Sequence, residues 1–175
     1  MTLKYQLKVY DYWHISSGLS AVARLDSTVI KDNDGLPYVA GKIIKGLTRE
    51  MAELLDDTTF IKECFGNEGT DMGKCYFSNA ILDETTATQI TTNNLQENLY
   101  DIIASTKIGE NGIAEDKSLR EIEVVIPITL IGEIRDIQNQ DYFKKMKQSL
   151  KMIKRMGLNR NRGLGRCEFI MEEQK

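Results

Sequence analysis

The stretch EIEVVIPITLIGEIRDIQNQDYFKKMKQSLKMIKRMG (121–157) changes its hydrophobic period halfway along, and that change decides the fold. Over 121–134, Ile122, Val124, Ile126, Ile128, Leu130 and Ile134 fall at even spacing, as in a central strand with one buried face. Pro127 has no amide to donate, so a bulge or an edge is expected there. From Asp141 the stripe becomes Phe143, Met146, Leu150, Ile153 and Met156, which is helical spacing. Asp141 is suited to cap that helix and Gly157 to stop it.

Working outward, RCEFIM (166–171) alternates as a last strand, and Leu3, Tyr5, Leu7 and Val9 do the same in a first one. KIIKGLTREMAELLDD (42–57) has apolar residues at 43, 44, 47, 51, 54 and 55, a second amphipathic helix that runs out into acidic, threonine-rich loop material. A polar loop over about 14–40 precedes it, and MGKCYFSNAIL (72–82) reads as a further strand. The order is strand, helix, strand, strand, helix, strand, an α+β chain of the ferredoxin-like (RRM-like) βαββαβ type. The polar segment over about 84–120, with Gly109 and Gly112 in a hairpin, has too little apolar material for a core and is expected to project. With no repeat and no linker, residues 1–175 read as a single domain.

The N-terminus alternates polar and apolar residues, unlike a secretory signal, and no apolar run reaches membrane-spanning length. Cys64, Cys75 and Cys167 are scattered and lack C-x-x-C spacing, which suits reduced thiols and a cytoplasmic location. The net charge of −3 conceals an asymmetry. Nine of the 23 basic residues, and none of the 26 acidic ones, lie between Lys144 and Arg166. Such a tract attracts a polyanion, although most charge runs are solvated helix faces.

Two motifs sharpen this reading. GLNRNRGLGR (157–166) sets three arginines among three glycines, which allow positive φ and close approach of the backbone to phosphate. It is neither G-x-x-x-x-G-K-[ST] nor G-x-G-x-x-G, so it gives no nucleoside-triphosphate signal; the bland alternative is a flexible turn with solubilising arginines. GLPYVAGKIIKGLTRE (35–50) leads into a helix with Lys42, Lys45 and Arg49 on one face near its N-terminus, an arrangement suited to phosphate though also ordinary for an amphipathic helix.

Together these motifs resemble the RAMP superfamily. GLPYVAGKIIKGLTRE is similar to its "LPYIPGSSLKGxxR" segment, and GLNRNRGLGR to its C-terminal glycine-rich loop. The remaining landmarks resemble the backbone subunit of type III CRISPR effector complexes. WHISSG (13–18) sits at a "HIGG"-type loop, LDSTVIKD (25–32) at "IDSPVIRD", CFGNEG (64–69) at "LFGN", and TKIGENGIAEDKSLREIEVVIP (106–127) at a thumb hairpin and the strand behind it. Ala40, Lys42 and Ile43 depart from the usual proline and serine pair, and Gly109 and Glu110 replace a common Asp–Arg pair.

The resemblance implies a guide-RNA-binding subunit that assembles with copies of itself and with other effector-complex subunits, away from membranes. Lys42, Lys45 and Arg49 would hold guide phosphates, with Gly157, Arg160, Arg162, Gly163, Gly165 and Arg166 lining the same channel and His14 touching RNA. Asp26 matches the aspartate that cuts target single-stranded RNA, making the chain a metal-dependent endoribonuclease. A transiently bound divalent cation such as Mg2+, with Asp26 as candidate ligand, would assist it. Two alternatives stay open: a scaffold of the same complex without chemistry, and a guide-processing nuclease dependent on His14.

Overall fold

Every second residue of β1 (Leu3–Val9) points inward: Leu3, Tyr5, Leu7 and Val9 are buried, and Lys4, Gln6 and Lys8 between them are exposed. The computed structural model describes residues 1–18, 26–67, 71–109, 111–113, 115–116 and 118–171. β1 lies in the middle of a four-stranded sheet, antiparallel to β5 (Thr129–Arg135) on one side and β6 (Cys167–Met171) on the other. β2 (Tyr76–Phe77) closes the far edge of β5, giving the order β2-β5-β1-β6. α1 (Gly41–Glu53) lies between β1 and β2 in sequence, and α4 (Gln140–Met152) between β5 and β6. The chain order across this sheet is therefore βαββαβ with antiparallel neighbours, the α+β arrangement expected.

The two helices pack on each other and share one core with the inner row of β1. α1 contributes Ile44 and Ala52, and α4 contributes Phe143, Met146 and Leu150. Ile153 and Met156, beyond the end of α4, are buried as well. Each such side chain contributes about 1.5–3 kcal/mol through removal from water. Gly132 of β5 sits under the hydroxyl of Tyr5, where any Cβ would collide with the phenol.

The run 121–134 is two strands, not one. β4 (Arg120–Val125) ends just before Pro127, β5 begins just after it, and the two belong to different sheets. β4 pairs with β3 (Tyr100–Ser105) in a hairpin, from Tyr100↔Val125 to Ser105↔Arg120. α2 (Thr58–Phe65) occupies what reads as loop; Asp57 caps it by accepting from Phe60 N at 3.0 Å. α3 (Glu84–Thr92) lies within the polar insertion and buries no residue, which is why periodicity misses it. The strand expected over 72–82 is regular only at Tyr76–Phe77, with separate bridges at Ala80 and Ile81. The cap of α4 is Asn139, which accepts from Tyr142 N at 2.8 Å, whereas Asp141 pairs with Lys145. That helix stops at Met152, five residues before Gly157, because Ile153 already has extended ψ.

No helix among the described residues is long and apolar enough to cross a membrane. All three cysteines are free and buried. Burial pushes the Cys167 thiol up to about 12, which keeps it a poor nucleophile.

Candidate functional site

The glycine-rich loop is shaped first by its own packing. Gly157 (φ 81°) lies against the carbonyl of His14, and Gly165 (φ 69°) against that of Met156; a Cβ at either would strike that oxygen. Gly163 (φ 93°) faces open space. The amides of Leu158 and Gly165 donate to the carbonyls of His14 (2.9 Å) and Tyr12 (2.8 Å), and those of Arg162 and Leu164 donate to Asn159. Several amides that the sequence offers to phosphate are thus spent inside the protein, which leaves the side chains as the loop's groups open to an anion. Arg160 reaches Glu50 of α1 at 3.5 Å, and Arg166 reaches Asp11 at 3.3 Å while lying over the Tyr10 ring. Arg162 is exposed and forms no ion pair with a described residue.

His14 does not face solvent. It is fully buried; its Nδ1 donates to the Glu123 carbonyl at 2.6 Å, and its Nε2 lies 3.0 Å from the Ser27 hydroxyl. With the proton on Nδ1, Nε2 accepts from Ser27. The expected contact between this ring and RNA gives way to a positioning role, since the packing of Trp13 against β4 draws the ring inward. Trp13 exchanges backbone hydrogen bonds with Val125 at 3.0 and 2.8 Å, and its indole donates to the Ile126 carbonyl at 3.2 Å.

Asp26 follows on the same line. Its amide donates to the Glu121 carbonyl at 2.9 Å, and its Oδ2 accepts from the Glu121 amide at 2.8 Å. The carboxylate is exposed. A continuous set of contacts therefore runs from Glu50 of α1 to Arg160, through the loop to His14, on to Ser27 and Asp26, and ends at the loop end of the β3–β4 ladder, where Glu121 pairs with Ala104. The structure brings together three predicted elements: the loop, His14 and Asp26. Glu110 lies outside the described residues.

The cations of α1 form a second group. Lys42 is exposed, Lys45 is half-buried, and neither forms an ion pair with a described residue; Arg49 is held by Glu53 at 3.0 Å. The helix N-terminus is less open than its sequence implies, because the Gly41 amide donates to Asn79 Oδ1 at 2.9 Å. Gly41 is needed there for a different reason: a Cβ would hit the carbonyls of Phe77 and Ser78.

Sequence reasoning misses Ser27, Glu123 and Lys31. Glu123 accepts from the Val29 amide (2.9 Å) and from Lys31 (2.8 Å), fastening the 26–31 segment to β4. Lys31 also lies 3.7 Å from the Tyr100 ring centroid. These residues sit in polar stretches with no periodic signal, and only the fold brings them together. As for a metal, no group of three His, Cys, Asp or Glu among the described residues could hold one. Asp26 alone offers an exposed carboxylate with one oxygen already bonded, which suits a hydrated Mg2+ shared with phosphate and does not suit a protein-enclosed ion.

Comparison with known proteins accords with this architecture. The RAMP superfamily model matches residues 7–168. A chain from the cryo-EM structure of the type III-B Cmr-beta complex bound to cognate target RNA is 10% identical, with a TM-score of 0.78 over 98% of this chain and 97% of that one. A chain from the apo state of Cmr-beta is 12% identical, with a TM-score of 0.72 over the same shares. No curated protein matches. The chain belongs to the RAMP superfamily.

Proposed function

We propose that this chain is a subunit of a type III CRISPR effector complex that holds guide RNA, assembles with copies of itself and cleaves guide-complementary target RNA through Asp26. The observation that carries the reading is the contact line from the glycine-rich loop through His14 and Ser27 to the exposed carboxylate of Asp26. Superfamily membership and likeness to chains of an RNA-bound complex support it. The unpaired charges of Lys42, Lys45 and Arg162 suit phosphates, which position a strand without reading it. Exposed Ile102, Ile108, Ile113 and Leu119 on and around the hairpin give it apolar surface for a neighbouring copy to cover. Work within such a complex places the chain in the cytoplasm as one domain.

In the proposed reaction Asp26 takes the proton of a ribose 2′-hydroxyl, whose oxygen attacks the adjacent phosphorus. The bond to the 5′-oxygen breaks, leaving a 2′,3′-cyclic phosphate and a 5′-hydroxyl that picks up a proton. A divalent cation on Asp26 and an RNA phosphate would neutralise charge at phosphorus. The Glu121 amide and the His14–Ser27 pair fix the carboxylate for that attack. Replacing Asp26 by Asn and measuring cutting and binding separately tests this: binding without cutting is expected, and full cutting overturns it. The scaffold reading is favoured by one observation, the Asp26–Glu121 bond, which alone gives that aspartate a structural use. A histidine-dependent nuclease is disfavoured because the His14 ring is enclosed with both nitrogens engaged.

A further inference from the structure

α4 carries cations that neither the loop nor α1 uses. Lys144, Lys147 and Lys151 follow one another at steps of four or three residues, Lys154 lies three beyond, and all four border one groove with Gln148 and Met152. Lys144, Lys151 and Lys154 are exposed and Lys147 is half-buried, and none forms an ion pair with a described residue. Lys145, beside them in sequence, behaves differently: it pairs with both Asp57 and Asp141. The helix thus neutralises one lysine twice and leaves a row of four bare. Like charges at this spacing repel, which raises the free energy of the helix until an anion covers them.

The row also leads somewhere. Lys154 and Met152 line a second depression with Glu50, Arg155 and Arg160, so the groove on α4 runs into the glycine-rich loop. From Lys144 to Lys151 the helical rise amounts to about 10 Å, and Lys154 carries the row past the end of the helix at Met152, enough for a few nucleotides of extended strand.

We propose that the lysine row of α4 is a phosphate track, along which single-stranded RNA held at the glycine-rich loop continues past Lys154, Lys151, Lys147 and Lys144. The inference rests on the RNA-binding reading above and adds to it a surface and a direction. Lysines act here as point charges without aromatic partners for bases, so the track is blind to sequence.

The test uses the full chain and fluorescently labelled polyuridine of increasing length, with affinity measured across potassium chloride concentrations. Lys144→Gln with Lys151→Gln removes two exposed charges, and Lys45→Ala with Arg49→Ala reports on the parent site. For long oligonucleotides the α4 variant should lower the magnitude of the log–log salt slope by about 1.4, at about 0.7 per lost phosphate contact. The shortest oligonucleotides that bind should be unaffected. An unchanged slope at every length, while the Lys45/Arg49 variant loses affinity, overturns the track and leaves the RNA-binding reading intact. No change in either variant overturns both. Unchanged RNA binding with loss of self-association in sedimentation overturns the track in favour of a protein-docking face.

Discussion

Asp26 and Glu121 are joined twice: the Asp26 amide donates to the Glu121 carbonyl at 2.9 Å, and the Asp26 carboxylate accepts from the Glu121 amide at 2.8 Å. A residue 95 positions away in sequence thereby fixes the candidate catalytic group beside the loop end of the hairpin ladder. Asp26→Asn keeps the shape and one acceptor oxygen while removing charge and basicity. Cutting of a guide-complementary RNA should fall about 10²–10⁴-fold, the span of a general base, with guide and target affinity nearly unchanged. Chelating divalent cations should also stop the cutting. Gel analysis of products, which should end in a 2′,3′-cyclic phosphate, checks both outcomes.

His14 should matter for stability more than for binding. His14→Ala leaves the Glu123 carbonyl without its imidazole donor, and the Ser27 hydroxyl with only Ser16 at 3.3 Å, at a cost of about 1–3 kcal/mol for the unsatisfied carbonyl. Urea unfolding curves should show this loss, and a smaller one for Ser27→Ala, whose partner keeps its other hydrogen bond.

The glycines of the loop should separate cleanly. Gly165→Ala drives a methyl into the Met156 carbonyl and should destabilise strongly. Gly163→Ala meets no atom within 4 Å and should cost only its positive φ, about 1–2 kcal/mol. Thermal unfolding of the two variants side by side reads the difference.

Stability should depend on acid through Asp57. The hydrogen bond from Lys145, then that from the Phe60 amide, hold its carboxyl below the usual aspartate range. A depressed folded-state pKa contributes stability above the unfolded value, and that contribution disappears as pH falls through the folded value. Asp57→Asn should therefore lower stability at neutral pH and flatten the acid limb of a stability–pH curve, so that variant and parent converge in acid. Denaturation midpoints collected from neutral to acid pH check it.

Ile108 and Ile113 are 58% and 66% exposed at the hairpin tip. Changing both to Ser should leave the melting temperature unchanged and weaken self-association. Sedimentation velocity with bound RNA gives the reading.

The frame was legible wherever one period held over a buried face. Leu3 to Val9, and Phe143 to Met156, announce their elements because alternate or helically spaced side chains meet one core. Legibility failed where pairing partners were polar or where one run served two sheets. The six apolar residues of 121–134 read as one strand because periodicity cannot see that Pro127 ends one ladder before the next begins. Asp26 was reached by resemblance alone; nothing in its own neighbourhood tells of Glu121. The RNA contact of His14 comes from resemblance, and its burial is invisible in the sequence because it depends on Trp13 anchoring on β4.

The division at Pro127 also bears on how reach could vary among proteins of this frame. β4 bridges to Trp13 and Ser27, but β3 and β4 share no ladder with the four-stranded sheet, so lengthening them beyond Ser105 and Arg120 leaves the register of β2-β5-β1-β6 untouched. A single inserted residue would turn one face of the ladder outside in, whereas matched pairs would preserve it. The hairpin is thus an adjustable spacer graduated in steps of two residues per strand, and the separation between its tip and Asp26 can be reset without refolding the body.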